Sequence, residues 1–156
     1  MDLAKHRECP SLTVDVVVMA RFNSRLKTLL VKRRHPPFEG SWAIPGGFVE
    51  PHEPLKEAAE RELREETGVR SVDLEQVHTF GDPGRDPRGW IVSVVYLAWL
   101  SSEAVDDHLV QAGSDAQDVA WFNLDELPPL AFDHSGILNF ALTSVELRVA
   151  LGDLDI

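Results

Sequence analysis

The sequence predicts an α/β protein in which helices pack against a mixed β-sheet. Three observations predict this fold class: Val-rich and Leu-rich segments of strand length, two segments with the marks of helices, and stretches rich in Pro and Gly between them. The 156 residues suit a single domain, which we take to span residues 1–156. Apolar residues make up 44% of the chain and charged residues 26%, as in ordinary globular proteins, so a disordered chain or a coiled coil is excluded.

The first part of the chain predicts three strands. Residues 12–20 and 26–33 are rich in Val and Leu, and a turn at residues 22–24 makes them neighbours. Residues 42–44 form a short strand after a Pro-containing loop. This strand runs into a turn at residues 45–47, which read Pro-Gly-Gly.

The segment after this turn has the end signals of a helix. Residues 54–67 contain no internal Gly or Pro, Pro54 stands at their start and Gly68 follows their end. Proline just inside the start and glycine just past the end are typical helix boundaries. A helix over residues 54–67 is therefore predicted.

The longest nearly apolar run of the chain covers residues 91–100 and is interrupted only by Ser93. Ten residues are too few for a membrane-spanning helix, which needs about 20. The run therefore predicts a strand that is buried on both faces. A loop rich in Gly, Pro and Asp precedes it at residues 81–89.

The last third of the chain begins with an acidic loop at residues 101–118 and a short strand at 119–122. Asn123 and Asp125 then suit the cap of a short helix. Residues 134–151 predict a core helix, and a partner-binding amphipathic helix is the alternative. Five apolar residues of this segment recur at helical spacing: Leu138, Ala141, Leu142, Val145 and Val149.

The charge balance and the N-terminus exclude several classes of function. Fifteen Lys and Arg residues against 26 Asp and Glu residues give a net charge of -11, which disfavours binding to nucleic acid. The first ten residues contain no apolar stretch, so we expect neither a signal peptide nor a membrane anchor. Cys9 is the only cysteine, so no disulfide can form within the chain. This fits a reducing compartment, and we expect a cytoplasmic protein.

An acidic patch lies on the apolar side of the first predicted helix. A helical projection places Glu62, Glu65 and Glu66 on the same side as Leu55 and Ala58. If that side is solvated, the repulsion among the carboxylates costs only a few tenths of a kcal/mol. If it packs, the repulsion is relieved by protons, by arginine or by a divalent cation such as Mg²⁺ or Mn²⁺. Arg61 can serve one neighbour, whereas a hard cation satisfies all three.

The glycines that precede this helix strengthen the metal interpretation. Gly46 and Gly47 allow a close approach of the backbone and a sharp turn. Their carbonyl groups can add a metal ligand, and their amides can meet phosphate oxygens.

At this point the chain resembles the Nudix hydrolase family. Gly47, five residues, Glu53, seven residues and then the run Arg-Glu-Leu-Arg-Glu-Glu-Thr-Gly-Val at residues 61–69 match the Nudix box. The resemblance implies an α/β/α sandwich and hydrolysis of a nucleoside diphosphate linked to another moiety. It also implies that Mg²⁺ or Mn²⁺ is held by three glutamates, with a backbone carbonyl nearby: Glu62, Glu65, Glu66 and Gly46. Four further residues have a supporting role: Gly47, Glu53, Arg61 and Gly68.

A general base for the attacking water is expected from outside the box. The candidates are four aspartates of the acidic loop: Asp106, Asp107, Asp115 and Asp118. We favour Asp115, because it lies just before the predicted strand at 119–122, where similar proteins tend to keep an aspartate. One of the box glutamates is an equal alternative.

Three further stretches resemble the prokaryotic ADP-ribose pyrophosphatase branch of the family: residues 37–50, residues 85–94 and residues 130–134. They imply hydrolysis of ADP-ribose to AMP and ribose 5-phosphate, and we expect a homodimer. The candidate substrate contacts are Arg33, Arg85, Arg88 and His134. For Arg85 and Arg88 the alternative is a solvated turn, and for His134 it is a residue that merely begins a helix.

Two other functions remain open. The first is a nucleoside triphosphate pyrophosphohydrolase acting on oxidised or pterin nucleotides, which releases pyrophosphate. The second is a non-catalytic sensor of an ADP-ribose-type ligand, as in transcriptional regulators that carry a winged-helix domain after the Nudix domain. The box is intact and only 23 residues follow Asp133, so we expect an enzyme.

Overall fold

The computed structural model describes residues 8–101, 105, 112–113 and 116–152. In this part of the chain, seven strands form one sheet, and two helices are complete. The strands are β1 (Ser11–Phe22), β2 (Arg25–Arg33), β3 (Trp42–Ala43), β4 (Gly46–Phe48), β5 (Glu75–Phe80), β6 (Ile91–Leu100) and β7 (Ala116–Asn123). The helices are α1 (Leu55–Thr67) and α2 (His134–Ala150).

The sheet is mixed, as predicted. Its main strand order is β3-β2-β1-β6-β5, with β4 added to β1 and β7 added to β2. β1 and β6 are parallel over their whole shared length, from Ser11 opposite Ile91 to Ala20 opposite Leu100. The other pairs are antiparallel. The predicted burial of residues 91–100 is confirmed, because β6 lies between β1 and β5 with helices on both faces of the sheet.

The two helices cover opposite faces of the sheet and produce three layers. Side chains alternate across a strand, so β1 serves both faces. Val14, Val16 and Val18 join the cluster that contains the apolar side of α1, whereas Val17 and Met19 join the cluster of α2. The prediction of a core helix at the C-terminal end is confirmed by four buried side chains of α2: Ile137, Leu138, Ala141 and Val145.

The predicted boundaries of α1 are confirmed. Pro54 occupies the position before the first turn, and Gly68 ends the helix in the left-handed conformation with φ 78°. The amide of Gly68 donates to the carbonyl oxygen of Arg64 at 2.9 Å. Glycine reaches this conformation without the strain that a Cβ imposes.

Three local predictions are wrong or incomplete. β5 is absent from the prediction, because its residues are largely polar; it forms as an edge strand through pairing with β6. Gly46–Phe48 was expected to begin as a turn but pairs with β1. Asn123 and Asp125 do not cap a helix: a turn follows β7, with the amide of Glu126 donating to Asn123. Two prolines come directly after this turn and remove the amide donors that a helix needs.

The acidic segment at 101–118 is described only in part, and its last three residues belong to β7. No described helix has the length and apolar character that a membrane span requires.

Candidate active site

A cavity of about 560 Å³ opens between α1, the sheet and the loop that precedes β6. It gathers side chains that are far apart in the sequence. Its lining includes Asp15 of β1, Lys32 and Arg33 of β2, Gly46, Gly47 and Phe48 of β4, Arg61, Glu62 and Glu66 of α1, Arg85, Asp86 and Arg88 of the loop before β6, and Phe132 and His134 at the start of α2. Most of the predicted site residues therefore share one cavity.

The three box glutamates occupy different environments. Glu62 and Glu66 line the cavity, and the side chain of Glu62 is 13% exposed. Glu65 is 41% exposed and is not among the lining residues. The glycines of β4 approach the first two closely: the amide of Gly46 donates to Oε2 of Glu66 at 3.0 Å, and Gly47 faces the carboxylate of Glu62.

Arg61 balances three carboxylates rather than the one expected. Its Nε and Nη2 donate to the two carboxylate oxygens of Glu53, at 2.6 and 3.0 Å. Its Nη1 donates to Glu62 at 2.8 Å and to Glu65 at 3.3 Å. Nη2 also donates to the carbonyl oxygen of Phe48 at 3.1 Å. Arg61 and Glu53 thus connect α1 to the chain that enters it.

The pKa values of Glu53 and Glu62 are shifted in opposite directions. The hydrogen bonds from Arg61 and from the amide of Glu50 lower the pKa of Glu53 from 4.5 to about 2. Burial raises the pKa of Glu62, and the hydrogen bond and charge of Arg61 oppose this rise only in part. The nearby charges of Glu65 and Glu53 add to the rise.

The predicted cations of the loop before β6 are held in ion pairs. The side chain of Arg85 is 6% exposed, and its Nε and Nη2 donate to the two oxygens of Asp133 at 2.9 and 2.7 Å. Arg88 makes the same bidentate contact with Asp86, at 3.0 and 2.7 Å. The solvated-turn alternative is therefore wrong for Arg85, and Arg88 is the more accessible of the two.

Aromatic rings complete the cationic wall of the cavity. The guanidinium carbon of Arg88 lies 4.9 Å from the ring centroid of Phe48 and 4.8 Å from that of Phe132. Arg33 approaches Phe132 at 4.9 Å, and its Nε donates to the carbonyl oxygen of Pro37 at 2.8 Å. Such cation–π contacts fix the guanidinium planes at the cavity edge. Phe48 and Phe132 lie in stretches that resemble the ADP-ribose pyrophosphatase branch, but neither was singled out from the sequence, because a lone aromatic residue carries no clear signal.

A buried polar group forms the floor of the cavity. His134 is buried, and its Nδ1 accepts a hydrogen bond from the amide of Ile44 at 2.9 Å. Its Nε2 lies 3.8 Å from Oδ1 of Asp15. Oδ2 of Asp15 accepts a hydrogen bond from the hydroxyl of Ser93. Sequence reasoning missed Asp15, although an aspartate inside a Val-rich buried strand is an anomaly that could have marked it.

The expected general base is not located. Asp106, Asp107 and the favoured Asp115 fall outside the described residues. Asp118 is exposed on β7, where its Oδ1 accepts from the amide of Val119 at 2.8 Å, and it is not among the residues that line the cavity.

Comparison with known protein families identifies the family to which this fold and cavity belong. The family described as NUDIX domain matches residues 11–140, which includes every strand of the described sheet, α1 and the start of α2. The chain belongs to the Nudix family. In this Nudix domain, the box comprises the end of β4, the loop that follows it and α1.

Two relatives of this Nudix domain are similar over most of its length. An ADP-ribose pyrophosphatase from Methanocaldococcus jannaschii is 39% identical over 139 residues, which cover 88% of this chain and 77% of the relative. The ADPR responsive transcriptional repressor NtrR from Acinetobacter baylyi is 37% identical over 136 residues. That match covers 85% of this chain and 53% of the repressor, so the chain spans about half the length of this second relative.

Solved structures agree with this assignment. The NUDIX domain of Shewanella oneidensis NrtR complexed with ADP ribose superimposes with a TM-score of 0.81 at 37% identity, and the match covers 91% of this chain and 92% of that one. A MutT/nudix family protein from Enterococcus faecalis gives a TM-score of 0.80 at 39% identity, covering 89% of this chain and 63% of that one.

The donor atoms of this Nudix site suit a hard divalent cation. Glu62 and Glu66 offer carboxylate oxygens to the cavity. Pro45 and Val49 supply the hydrogen bonds to β1 on either side of Gly46, so the amide and carbonyl of Gly46 point away from β1. Among the described residues, no three His, Cys, Asp or Glu side chains are already grouped for a metal. Arg61 bonds both Glu62 and Glu65, but Glu65 is the more exposed of the two and does not line the cavity. The oxygen-rich set fits Mg²⁺ or Mn²⁺, with Glu65 outside it in this arrangement.

Proposed function

We propose that this Nudix domain hydrolyses ADP-ribose to AMP and ribose 5-phosphate with the help of Mg²⁺ or Mn²⁺. The observation that carries the proposal is the cavity itself, where Glu62 and Glu66 face the same space as Arg88 and Phe132. The 39% identity to an ADP-ribose pyrophosphatase over 88% of the chain supports the choice of substrate.

The acidic wall holds the metal in this proposal. Glu62, Glu66 and the carbonyl of Gly46 would hold the cation, and Glu65 would join them if its hydrogen bond to Arg61 opened. A bound divalent cation neutralises the diphosphate and lowers the pKa of a bound water. Arg61 and Glu53 keep the helix and its entering loop in position, and therefore act on the chemistry only through the glutamates.

The opposite wall binds the anionic part of the substrate. A protein with a net charge of -11 repels a diphosphate in general. Arg33 and Arg88 both lie against the ring of Phe132 and concentrate positive charge on one side of the cavity. Asp86 fixes the plane of the Arg88 guanidinium, which suits hydrogen bonding to phosphate oxygens. Arg85 acts as a positioning residue, because its side chain is buried against Asp133, whereas the side chain of Arg88 is the more exposed of the two.

The reaction requires a base that removes a proton from water. The water oxygen forms a bond to one phosphorus, and the bond between that phosphorus and the bridging oxygen breaks to release the second monophosphate. Asp115 remains our proposal for the base. One of the box glutamates is the alternative.

A ligand sensor is the second candidate function. The similarity to a repressor described as ADPR responsive favours it, as does the structure of a related NUDIX domain with ADP ribose. The three intact box glutamates favour the enzyme, since a sensor has no need of a hydrolytic metal site. A triphosphate pyrophosphohydrolase is the third candidate and shares the same metal chemistry.

Product analysis separates these candidates. The protein is incubated with ADP-ribose or with dGTP in Mg²⁺ or Mn²⁺, and the products are resolved by ion-exchange chromatography. We expect AMP and ribose 5-phosphate, a kcat/KM for ADP-ribose well above that for dGTP, and loss of turnover in a chelator without loss of the circular dichroism spectrum. In ¹⁸O-labelled water, the label on one monophosphate identifies the attacked phosphorus. Pyrophosphate from dGTP at a higher kcat/KM would favour the triphosphatase, and tight binding of ADP-ribose without any product would favour the sensor.

We also propose that the protein is a cytoplasmic homodimer. Three exposed apolar side chains that share one side of α2 and its end support an interface: Phe140, Leu147 and Leu151. Sedimentation equilibrium tests the oligomeric state, and a mass equal to that of one chain, 17.4 kDa, would contradict it.

A further inference from the structure

We propose that Asp15 and His134 bind two neighbouring hydroxyl groups of a ligand ribose at the floor of the cavity. This inference rests on the proposed function in one respect, namely that the ligand is a ribose nucleotide. It assigns a role to Asp15, and it makes the two residues determinants of specificity rather than of bond cleavage.

Asp15 is placed as a ligand-binding carboxylate. It lies in the middle of β1 among fully buried valines, yet it lines the cavity. The hydroxyl of Ser93 holds one carboxylate oxygen, Oδ2. The other oxygen, Oδ1, points toward Gly46, where a Cβ would overlap it. The glycine therefore leaves Oδ1 the room it needs beside the cavity.

His134 provides the matching donor. Its Nδ1 accepts from the amide of Ile44, so in the neutral ring the proton resides on Nε2. Burial lowers the pKa of His134, although the charge of Asp15 opposes this shift. The ring is consequently neutral near pH 7, with an N–H at Nε2 that faces Asp15.

The separation of the two groups fits hydroxyls. Nε2 of His134 and Oδ1 of Asp15 are 3.8 Å apart, beyond the hydrogen-bond range of about 2.7–3.2 Å. They form an adjacent donor and acceptor that do not satisfy each other. A hydroxyl can donate to Asp15 while its neighbour on the same sugar accepts from His134, so a ribose diol supplies both partners.

Phosphate and metal fit the floor less well. A carboxylate has no proton to donate and repels a phosphate, which is attracted to the Arg88 side of the cavity. A ring nitrogen that carries a proton cannot bind a metal, and Nδ1 of His134 is occupied by Ile44. Among the described residues, no group of three metal-ligating side chains includes Asp15.

Calorimetric titration in EDTA tests the inference without hydrolysis. The ligands are ADP-ribose, its analogue without the 2-hydroxyl of the terminal ribose, and its analogue without the 2′-hydroxyl of the adenosine. Asp15→Asn retains the volume and an acceptor for Ser93, and Asp73→Asn, at an exposed loop position, is the matched control. We expect Asp15→Asn to weaken ADP-ribose about 10- to 100-fold, the range for a hydrogen bond to a charged group. Asp73→Asn should leave Kd unchanged.

The deoxy analogues show whether a hydroxyl is the partner. One of them should bind the wild-type protein about 10- to 100-fold more weakly than ADP-ribose, and Asp15→Asn should weaken that analogue no further. Equal binding of all three ligands by the wild-type protein would overturn the inference, and this comparison holds even if Asp15→Asn fails to fold. If Asp15→Asn weakens the binding of all three ligands by the same factor, Asp15 has a structural role and the inference is wrong. The inference is also wrong if the wild-type protein does not bind ADP-ribose.

Hydrolysis is measured separately in Mg²⁺. Suppose that removal of one hydroxyl weakens binding and that Asp15→Asn weakens that deoxy analogue no further, but that ADP-ribose is not cleaved. The proposed function then fails and the ribose site stands. If ADP-ribose is cleaved but both deoxy analogues bind the wild-type protein as tightly as ADP-ribose does, the ribose site fails and the proposed function stands.

Discussion

Gly47 of β4 leaves the space that the carboxylate of Glu62 on α1 occupies. A Cβ at residue 47 would lie 2.5 Å from Oε1 and 2.6 Å from Oε2 of Glu62, well inside van der Waals contact. Gly47 lies in strand β4 and is not among the glycines with positive φ. The box therefore needs glycine here for the close approach of a carboxylate and not for an unusual turn.

Gly47→Ala should displace Glu62 and reduce turnover while the fold survives. The added methyl group meets the end of a side chain, which can rotate away more easily than backbone can. We expect kcat to fall at least about 10-fold, as for other disturbances of a metal ligand set, with a small change in Tm. Gly136→Ala is the matched control, because a Cβ at residue 136 meets nothing within 4 Å. Equal kcat in both variants would contradict the steric role of Gly47.

Glu66→Gln should abolish most of the activity and retain the structure. Glutamine keeps the volume and an oxygen that accepts from the amide of Gly46, but it loses the charge that a divalent cation requires. We expect kcat in Mg²⁺ to fall by more than about 100-fold. This exceeds the loss of about 10- to 100-fold that is usual when a residue that only supports a metal ligand is replaced. Glu60→Gln removes a charge from the exposed side of α1 and serves as the control. Near-normal turnover of Glu66→Gln would exclude this glutamate as a ligand.

The Glu53–Arg61 ion pair should make the fold less stable as the pH falls below about 4.5. The pKa of Glu53 is about 2 in the folded protein against 4.5 for an ordinary glutamate. A depressed pKa means that the unfolded chain binds the proton more readily, so the stabilisation is complete above pH 4.5 and declines as the pH falls toward 2.

Urea unfolding of the wild-type protein and of Glu53→Gln measures this dependence. The stability difference between them should be constant above about pH 5.5 and should shrink steadily below pH 4.5. A difference that stays constant down to pH 2.5 would show that the ionised pair contributes nothing. Glu57→Gln, at an exposed position in the first turn of α1, controls for the loss of a helix charge.

Arg85→Ala should mainly reduce the stability of the fold, whereas Arg88→Ala should mainly weaken ligand binding. Arg85 is almost fully buried against Asp133, so its removal should lower the free energy of unfolding by about 1–3 kcal/mol. Arg88 is more exposed and lines the ligand cavity, so its removal should weaken ADP-ribose binding by about 1.5–3 kcal/mol. Chemical denaturation and calorimetric titration of both variants measure the two effects. Unchanged affinity in Arg88→Ala would remove it from the substrate site.

Elements with a strong local signal could be predicted from the sequence. The Val-rich β1 and the apolar β6 are recognisable because a buried strand needs apolar side chains wherever it pairs. The ends of α1 are recognisable because Pro54 and Gly68 restrict or release the backbone locally. β5 carries no such signal, since an edge strand of polar residues is stabilised mainly by the neighbour that it pairs with.

The chain by itself determined the chemistry of the site: the glutamates, their spacing on one helix and the glycines before it. The tertiary structure alone decided how those groups are used. It brings Gly46 and Gly47 against Glu66 and Glu62, occupies Arg85 with Asp133, and places Asp15 against His134. The physical reason is that residue type and helical spacing are local properties, whereas these contacts depend on the register of β1 against β4 and β6 and on where α2 begins. That register is set by the packing of the whole sheet between its two helices, and no short stretch of sequence encodes it.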